Sequence, residues 1–397
     1  MSLRDSSGSR PAWASRRALT AGAAAVIVAA GAATVLATTH GGSGDVHHAA
    51  SKTARLSASS CTGPAGAAYI ALPGYQAFDA VNTANCALIQ QYNVGDTQVP
   101  GDSGDYNYSS SEQGIAMYGS TLYFADTGND TVAVMDSAKL TVDNYENPAE
   151  TLINVGFDPD YLAVTPDGSQ LWVADTGPQT SPSSPTDIDV IDTATDAVTK
   201  HIPLRAAPAE IGFSPDGSTA YVTTSAGLYS FSTTTDRVTG FMPGLGDPHG
   251  IAVSPDGRTV YVTSTTGAKV YVVATGSDRV TGTIAVGDLP WGIALSSDGS
   301  TLYVANPDSD TVSVISTSSD KVTSTIPLTG DPDTLALTPD GSELWVGGLT
   351  SGIVTVFDTA SDSSVGSFNV GYGGEANAGD GELPTAIVLT TTPTPGS

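Results

Sequence analysis

One histidine, two large aromatic residues and three carboxylates fall at equivalent places in a pattern that recurs along this chain. A proline position precedes a short apolar run. The residues just after that position are Gln113, Asp160, Ala209, His249, Trp291, Asp333 and Thr385, with Tyr161 and Glu210 one step further on. If the repeats close into a ring, these side chains converge on one concavity, and Gln113, Asp160, Tyr161, Glu210, His249, Trp291 and Asp333 become the candidate ligand-binding residues. Imidazole beside carboxylates can move a proton, which makes Glu210 and His249 the candidate catalytic pair. Asp160, Glu210, His249 and Asp333 could instead ligate a divalent cation, calcium or magnesium, that polarises a carbonyl. A third reading is a plain polar, water-filled channel mouth. His201 is the one other histidine beyond residue 60, and the pattern puts it on an outer strand.

The elements that must position these residues are short strands. The clearest unit runs from Pro290 to Leu328. Gly292–Leu295 is a brief apolar run of the kind expected for a strand buried on both faces. Ser297-Asp298-Gly299 is a tight turn whose glycine supplies a positive φ. Leu302–Ala305, Thr311–Ile315 and Val322–Leu328 are three further strands, the last two alternating as strands with one wetter face do. The turn recurs at Pro166-Asp167-Gly168, Pro215-Asp216-Gly217, Pro255-Asp256-Gly257 and Pro339-Asp340-Gly341, with a degenerate copy at Tyr118-Gly119-Ser120. Four antiparallel strands joined by short turns make one propeller blade.

Six such units are complete. A seventh first strand, Pro384–Leu389, stands alone at the C-terminus, and its missing partners match Ala68–Leu72, Ala77–Val81 and Ala87–Val94 near the N-terminus. The sequence therefore predicts an all-β, seven-bladed propeller of four-stranded antiparallel blades, its ring closed by N-terminal strands plus a C-terminal strand. Such closure removes the open edges of the sheets. Loops from the fourth strand to the next first strand share one face with loops between second and third strands. The three longest insertions, Gly95–Glu112, Asp175–Asp187 and Gly371–Leu383, all fall on that face, where loops on a rigid scaffold commonly carry function. Acidic loops at Asp126–Asp130, Asn306–Asp310 and Gly101–Asp105 suit a hard cation or, equally, Asx turns. Trp172 and Trp345 read as packing between blades.

The segments Tyr221-Val222-Thr223-Thr224, Tyr261-Val262-Thr263-Ser264 and Tyr303-Val304-Ala305-Asn306 resemble the YVTN family of propeller repeats, also called YncE-like proteins. The resemblance covers nearly all of 66–390. It implies a seven-bladed propeller that is exported or held at the cell surface, and it implies little about chemistry. The fold also resembles that of seven-bladed lactonases and streptogramin lyases, which is likeness of fold alone.

Composition agrees with this reading. Only 14% of the residues are charged, against 44 glycines and 24 prolines among 397 residues, a mix suited to strands and turns. The net charge is −27, and residues 1–55 hold six basic and two acidic residues, so the rest of the chain carries −31. A body this acidic repels nucleic acid and anionic lipid, which excludes non-specific nucleic-acid binding. Residues 1–37 combine Arg16-Arg17 with an apolar run from Ala18 to Ala37, the layout of a twin-arginine-like export signal, either cleaved or kept as the sole membrane anchor. Residues 38–60 read as a disordered linker, 61–390 as the propeller and 391–397 as a disordered tail. In an exported chain the two cysteines, Cys61 and Cys86, form a disulfide or remain as buried thiols. No nucleophile elbow, phosphate loop, CxxC pair or haem-attachment motif is present. The expectation is a secreted or surface-held monomeric scaffold that binds a small molecule, a cell-wall component or a protein. The competing expectation is a metal-assisted lactonase or lyase working at the channel mouth.

Overall fold

The computed structural model describes residues 66–72, 77–94, 114–140, 149, 151–177, 186–370 and 384–390. The expected export signal, linker and C-terminal tail lie outside the described residues. So do Cys61, Gln113, the loop Gly101–Asp105 and most of the three insertions.

The described residues form seven four-stranded antiparallel sheets arranged as seven blades. Blade 1 is Ala386–Thr390 followed by Ala67–Leu72, Ala77–Asn82 and Ala87–Asn93. The first strands of blades 2 to 7 are Ile115–Tyr118, Pro159–Val164, Pro208–Phe213, Pro248–Val253, Ile293–Leu295 and Pro332–Leu337. Each packs against the first strand of the next blade, and Ala386–Thr390 completes the circuit between blades 7 and 2. The closing strand pairs with the N-terminal one in the register Ala67↔Thr390 to Ala71↔Ala386, so the two ends of the propeller are hydrogen-bonded to each other.

The blades stand because their middle strands are apolar on both faces. Thr301–Asn306 is buried from Leu302 to Asn306, and Thr259–Ser264 from Val260 to Ser264. The fourth strands alternate, as in Lys321–Pro327, where Ile326 points inward and its neighbours outward. Between blades 3 and 4, fully buried Trp172 meets Phe213 and Phe231 edge-on at 5.8 and 5.9 Å. Trp345 packs on Phe368 at 5.5 Å, in a cluster that joins blade 7 to Ala68, Ile70 and Leu72 of blade 1. Burying one such aromatic contributes about 1.5–3 kcal/mol, so the interfaces between blades are the main cohesive element.

The five Asp-Gly turns share one geometry. Gly168, Gly217, Gly257, Gly299 and Gly341 have φ between 68° and 74°, in the left-handed region that glycine enters without steric cost. The preceding aspartate accepts from the amide two residues on and from a hydroxyl two residues back, as Asp298 does from Ser300 N at 2.9 Å and Ser296 Oγ at 2.6 Å.

The first strands begin earlier than their apolar runs predict. In blades 3, 4, 5 and 7 the strand starts at the proline (Pro159, Pro208, Pro248 and Pro332), and the ladder shifts register one or two residues later. A bulge of this kind re-aims the side chain at the irregularity. Asp160, Glu210, His249 and Asp333 stand at these irregularities.

Candidate functional site at the channel mouth

Close approach of neighbouring first strands builds the mouth. A Cβ added at Gly292 would stand 2.2 Å from the carbonyl oxygen of Asp333, and one at Gly250 would stand 2.3 Å from that of Trp291. Glycine alone lets these backbones meet, and Gly292 N donates to Asp333 O at 3.1 Å. The second strands lock the arrangement. Thr223 Oγ1 accepts from Glu210 N at 2.9 Å and donates to His249 O of the next blade at 2.6 Å. Thr263 Oγ1 repeats the device, accepting from Gly250 N at 2.7 Å and donating to Trp291 O at 2.9 Å. These threonines occupy the third place of the recurring Tyr-Val-Thr segments. The tyrosines of these segments, Tyr221 and Tyr261, and Tyr303 of the related Tyr-Val-Ala segment are buried, and burial raises their pKa values.

On this frame His249 draws three blades together. Its Nε2 and the Tyr161 hydroxyl share a hydrogen bond of 2.8 Å, with the rings edge to face at 5.6 Å. The Trp291 ring lies over the imidazole at 3.7 Å, tilted by 31°. Tyr161 belongs to blade 3, His249 to blade 5 and Trp291 to blade 6, so the contact reaches past blade 4, which carries Glu210. Glu210 Oε2 accepts from Ile251 N at 3.0 Å, and Asp160 Oδ2 accepts from Thr176 Oγ1 at 2.8 Å. Asp160, His249 and Asp333 are buried, whereas Tyr161, Glu210 and Trp291 are half-buried. Tyr161, His249 and Trp291 thus form one contiguous ring cluster, of which Tyr161 and Trp291 are half-buried, and Glu210 is a half-buried carboxylate of the blade between. Together they can stack a ring or an apolar sugar face and accept hydrogen bonds from hydroxyl or ammonium groups.

Sequence spacing placed these residues in one ring, but the partnership of Tyr161 with His249, 88 residues apart, carried no sequence signal. The two acidic loops seen here direct oxygens at backbone amides. Asp130 Oδ1 accepts from Asp158 N at 3.1 Å, and Asp310 Oδ1 accepts from Asp331 N at 3.2 Å.

A second polar cluster escaped the sequence reading. Asp187, Asp189 and His201 of blade 3 hold ligand atoms within 4.8 Å of one another, and among the described residues they form the one such group of three. Asp189 is hydrogen-bonded to His201 Nδ1. Neighbouring Asp175 is fully buried, and burial together with the charges of Asp189 and Asp187 pushes its carboxyl up to about 9. The readable signal was the alternation in Asp187-Ile188-Asp189, which sets both aspartates on one face of a strand whose outer partner carries His201.

Comparison with known proteins bears on the fold. A family model described as lactonase, 7-bladed beta-propeller, matches residues 226–330, about a quarter of the chain, including His249 and Trp291. A functionally unknown protein from Desulfotomaculum acetoxidans is similar in structure, with a TM-score of 0.64, 16% identity, and coverage of 81% of this chain and 98% of that one. The Kuenenia stuttgartiensis hydrazine synthase is similar as well, with a TM-score of 0.59, 20% identity, and coverage of 75% and 99%. At these identities the likeness is one of fold. No curated protein sequence matches the chain.

Proposed function

We propose that this protein is an exported binding scaffold whose ligand seats at the channel mouth on Tyr161, Glu210 and Trp291, with Asp160, His249 and Asp333 behind them. The observation that carries this reading is the aromatic platform itself. His249 is bonded to Tyr161 and covered by Trp291, so the imidazole holds two ring systems in place. Aromatic faces beside carboxylates suit a hydroxyl-rich molecule that is neutral or cationic, and a body of −31 disfavours anions. Cell-wall amino sugars combine both properties, and the resemblance to exported YVTN propellers supports that setting. An export signal at 1–37 and a disulfide from Cys86 to Cys61 belong to the same proposal. The fully turned-in Cys86 sits at the start of blade 1's fourth strand, where a covalent tie would anchor the segment leading into the ring.

Calorimetric titration with glucosamine oligosaccharides tests the proposal. Saturable binding is expected, weakened at least tenfold by Trp291→Ala and by Glu210→Gln. Absence of saturable binding, or binding indifferent to both variants, contradicts it.

The family match at 226–330 supports a second reading, a lactonase in which His249 acts as general base with Glu210 or a divalent cation beside it. Turnover of a lactone by the wild type, abolished by His249→Ala with the melting temperature retained, would favour the enzyme over the scaffold.

A further inference from the structure

We propose that Asp187, Asp189 and His201, backed by Asp175, form a binding site for a divalent transition-metal ion on blade 3, away from the channel mouth. Strand register is the first argument. Asp175 stands opposite Asp187 on the second and third strands, and Asp189 stands opposite His201 on the third and fourth. Residues directly opposite in a ladder share a face, and Asp187 and Asp189 are two apart on one strand, so all four side chains project to the same side of the sheet. Each of Asp187, Asp189 and His201 offers one ligand atom, and these atoms lie within 4.8 Å of one another. Ligands about 2.0–2.2 Å from a metal are separated by roughly 3–4.4 Å, so a small rotamer adjustment closes the set.

Asp175 supplies the independent argument. It is fully buried, and among the described residues neither of its carboxylate oxygens accepts a hydrogen bond of good geometry, the Gly156 amide alone lying near. The backbone of Gly156 lies against it, close enough that an added Cβ would stand 2.8–2.9 Å from the carboxyl group. The amide of that glycine donates to Asp189 Oδ2 at 3.0 Å. Among the described residues no lysine or arginine pairs with these carboxylates, so their ionised forms are costly unless a cation takes the place of the proton. Lys200, the nearest basic residue in sequence, points to the other side of its strand and reaches Asp236 at 4.0 Å. The imidazole selects the class of ion, because histidine with carboxylates suits zinc or manganese better than calcium, which takes oxygen ligands. The side chain of His201 is largely exposed, which leaves the site open to an entering ion.

The test is metal uptake by the full chain. Calorimetry with ZnCl2 and with MnCl2, checked by elemental analysis after gel filtration, is expected to give one ion lost on substitution at the cluster. His201→Ala, at an exposed side chain that leaves the fold intact, should weaken binding at least tenfold, and Asp189→Asn should do the same or more. Calcium should bind more weakly than either metal. Affinity unchanged in His201→Ala overturns the proposal, as does no saturable uptake at 1 mM metal, tighter binding of calcium, or loss of the ion in His249→Ala.

Discussion

At Gly292 one methyl group decides whether two blades can meet. The added Cβ would press on the carbonyl of Asp333, a backbone atom that cannot swing aside. Gly292→Ala is therefore expected to cost about 1–3 kcal/mol through overpacking and to lower the melting temperature. Gly276, where an added Cβ meets nothing within 4 Å, provides the comparison, and Gly276→Ala should leave the melt nearly unchanged. The shared place of Asp160, Glu210, His249, Trp291 and Asp333 at the starts of first strands could be read from the sequence because they follow one proline position in successive repeats. Their division of labour could not. Which side chain is covered and which half-open depends on how bulges at Pro159, Pro208, Pro248 and Pro332 turn each strand start, and a periodicity argument does not see a bulge. The Asp187, Asp189 and His201 cluster was missed for a related reason. The spacing put His201 on an outer strand, away from both the channel residues and the acidic loops, and cross-strand register, which brings it opposite Asp189, is not written in the repeat.

At the level of elements, the Asp-Gly turns carry a pH dependence whose sign follows from their hydrogen bonds. Asp216 and Asp298 are held at about 2, first by the serine hydroxyls of Ser214 and Ser296 and then by the amides of Ser218 and Ser300. Both folded values lie below the ordinary carboxylate value of 3.8. The stability they contribute is thus complete above that value and lost as pH falls through about 2. The melting temperature should decline between pH 4 and pH 2. A variant with Asp216→Asn and Asp298→Asn should decline less steeply in that window and match the wild-type slope between pH 6 and pH 8. These turns were the most legible elements of the chain, because Asp followed by Gly fixes a local conformation whatever the surroundings. Strand starts were less legible, since the bulge after each proline interrupts the ladder that the apolar run marks.

For the molecule as a whole, ring closure is the decisive feature. Ala67–Leu72 sits between the C-terminal strand and Ala77–Asn82, buried along its full length. Deleting 384–397 would strip one partner from it and expose an apolar edge, which templates association between chains. Light scattering should report aggregation of the truncated protein at concentrations where the intact chain stays dispersed, and a fully soluble, cooperatively melting truncation would contradict the role assigned to closure. The shared blade was legible because the lone strand at 384–389 and the three orphan strands at 68–94 complete one another. What the propeller holds was not legible, because a ring of this kind offers the same scaffold to many ligands and only its mouth distinguishes them.

Tryptophan emission tests the mouth directly. Trp172 and Trp345 are fully buried, whereas Trp291 is half-buried over His249, so a ligand seated there alters the emission of Trp291 above all. Titration with glucosamine oligosaccharides should give a saturable change in emission that disappears in Trp291→Phe. A binding isotherm seen by calorimetry with no change in emission, or an emission change that survives in Trp291→Phe, would place the ligand elsewhere and contradict the account.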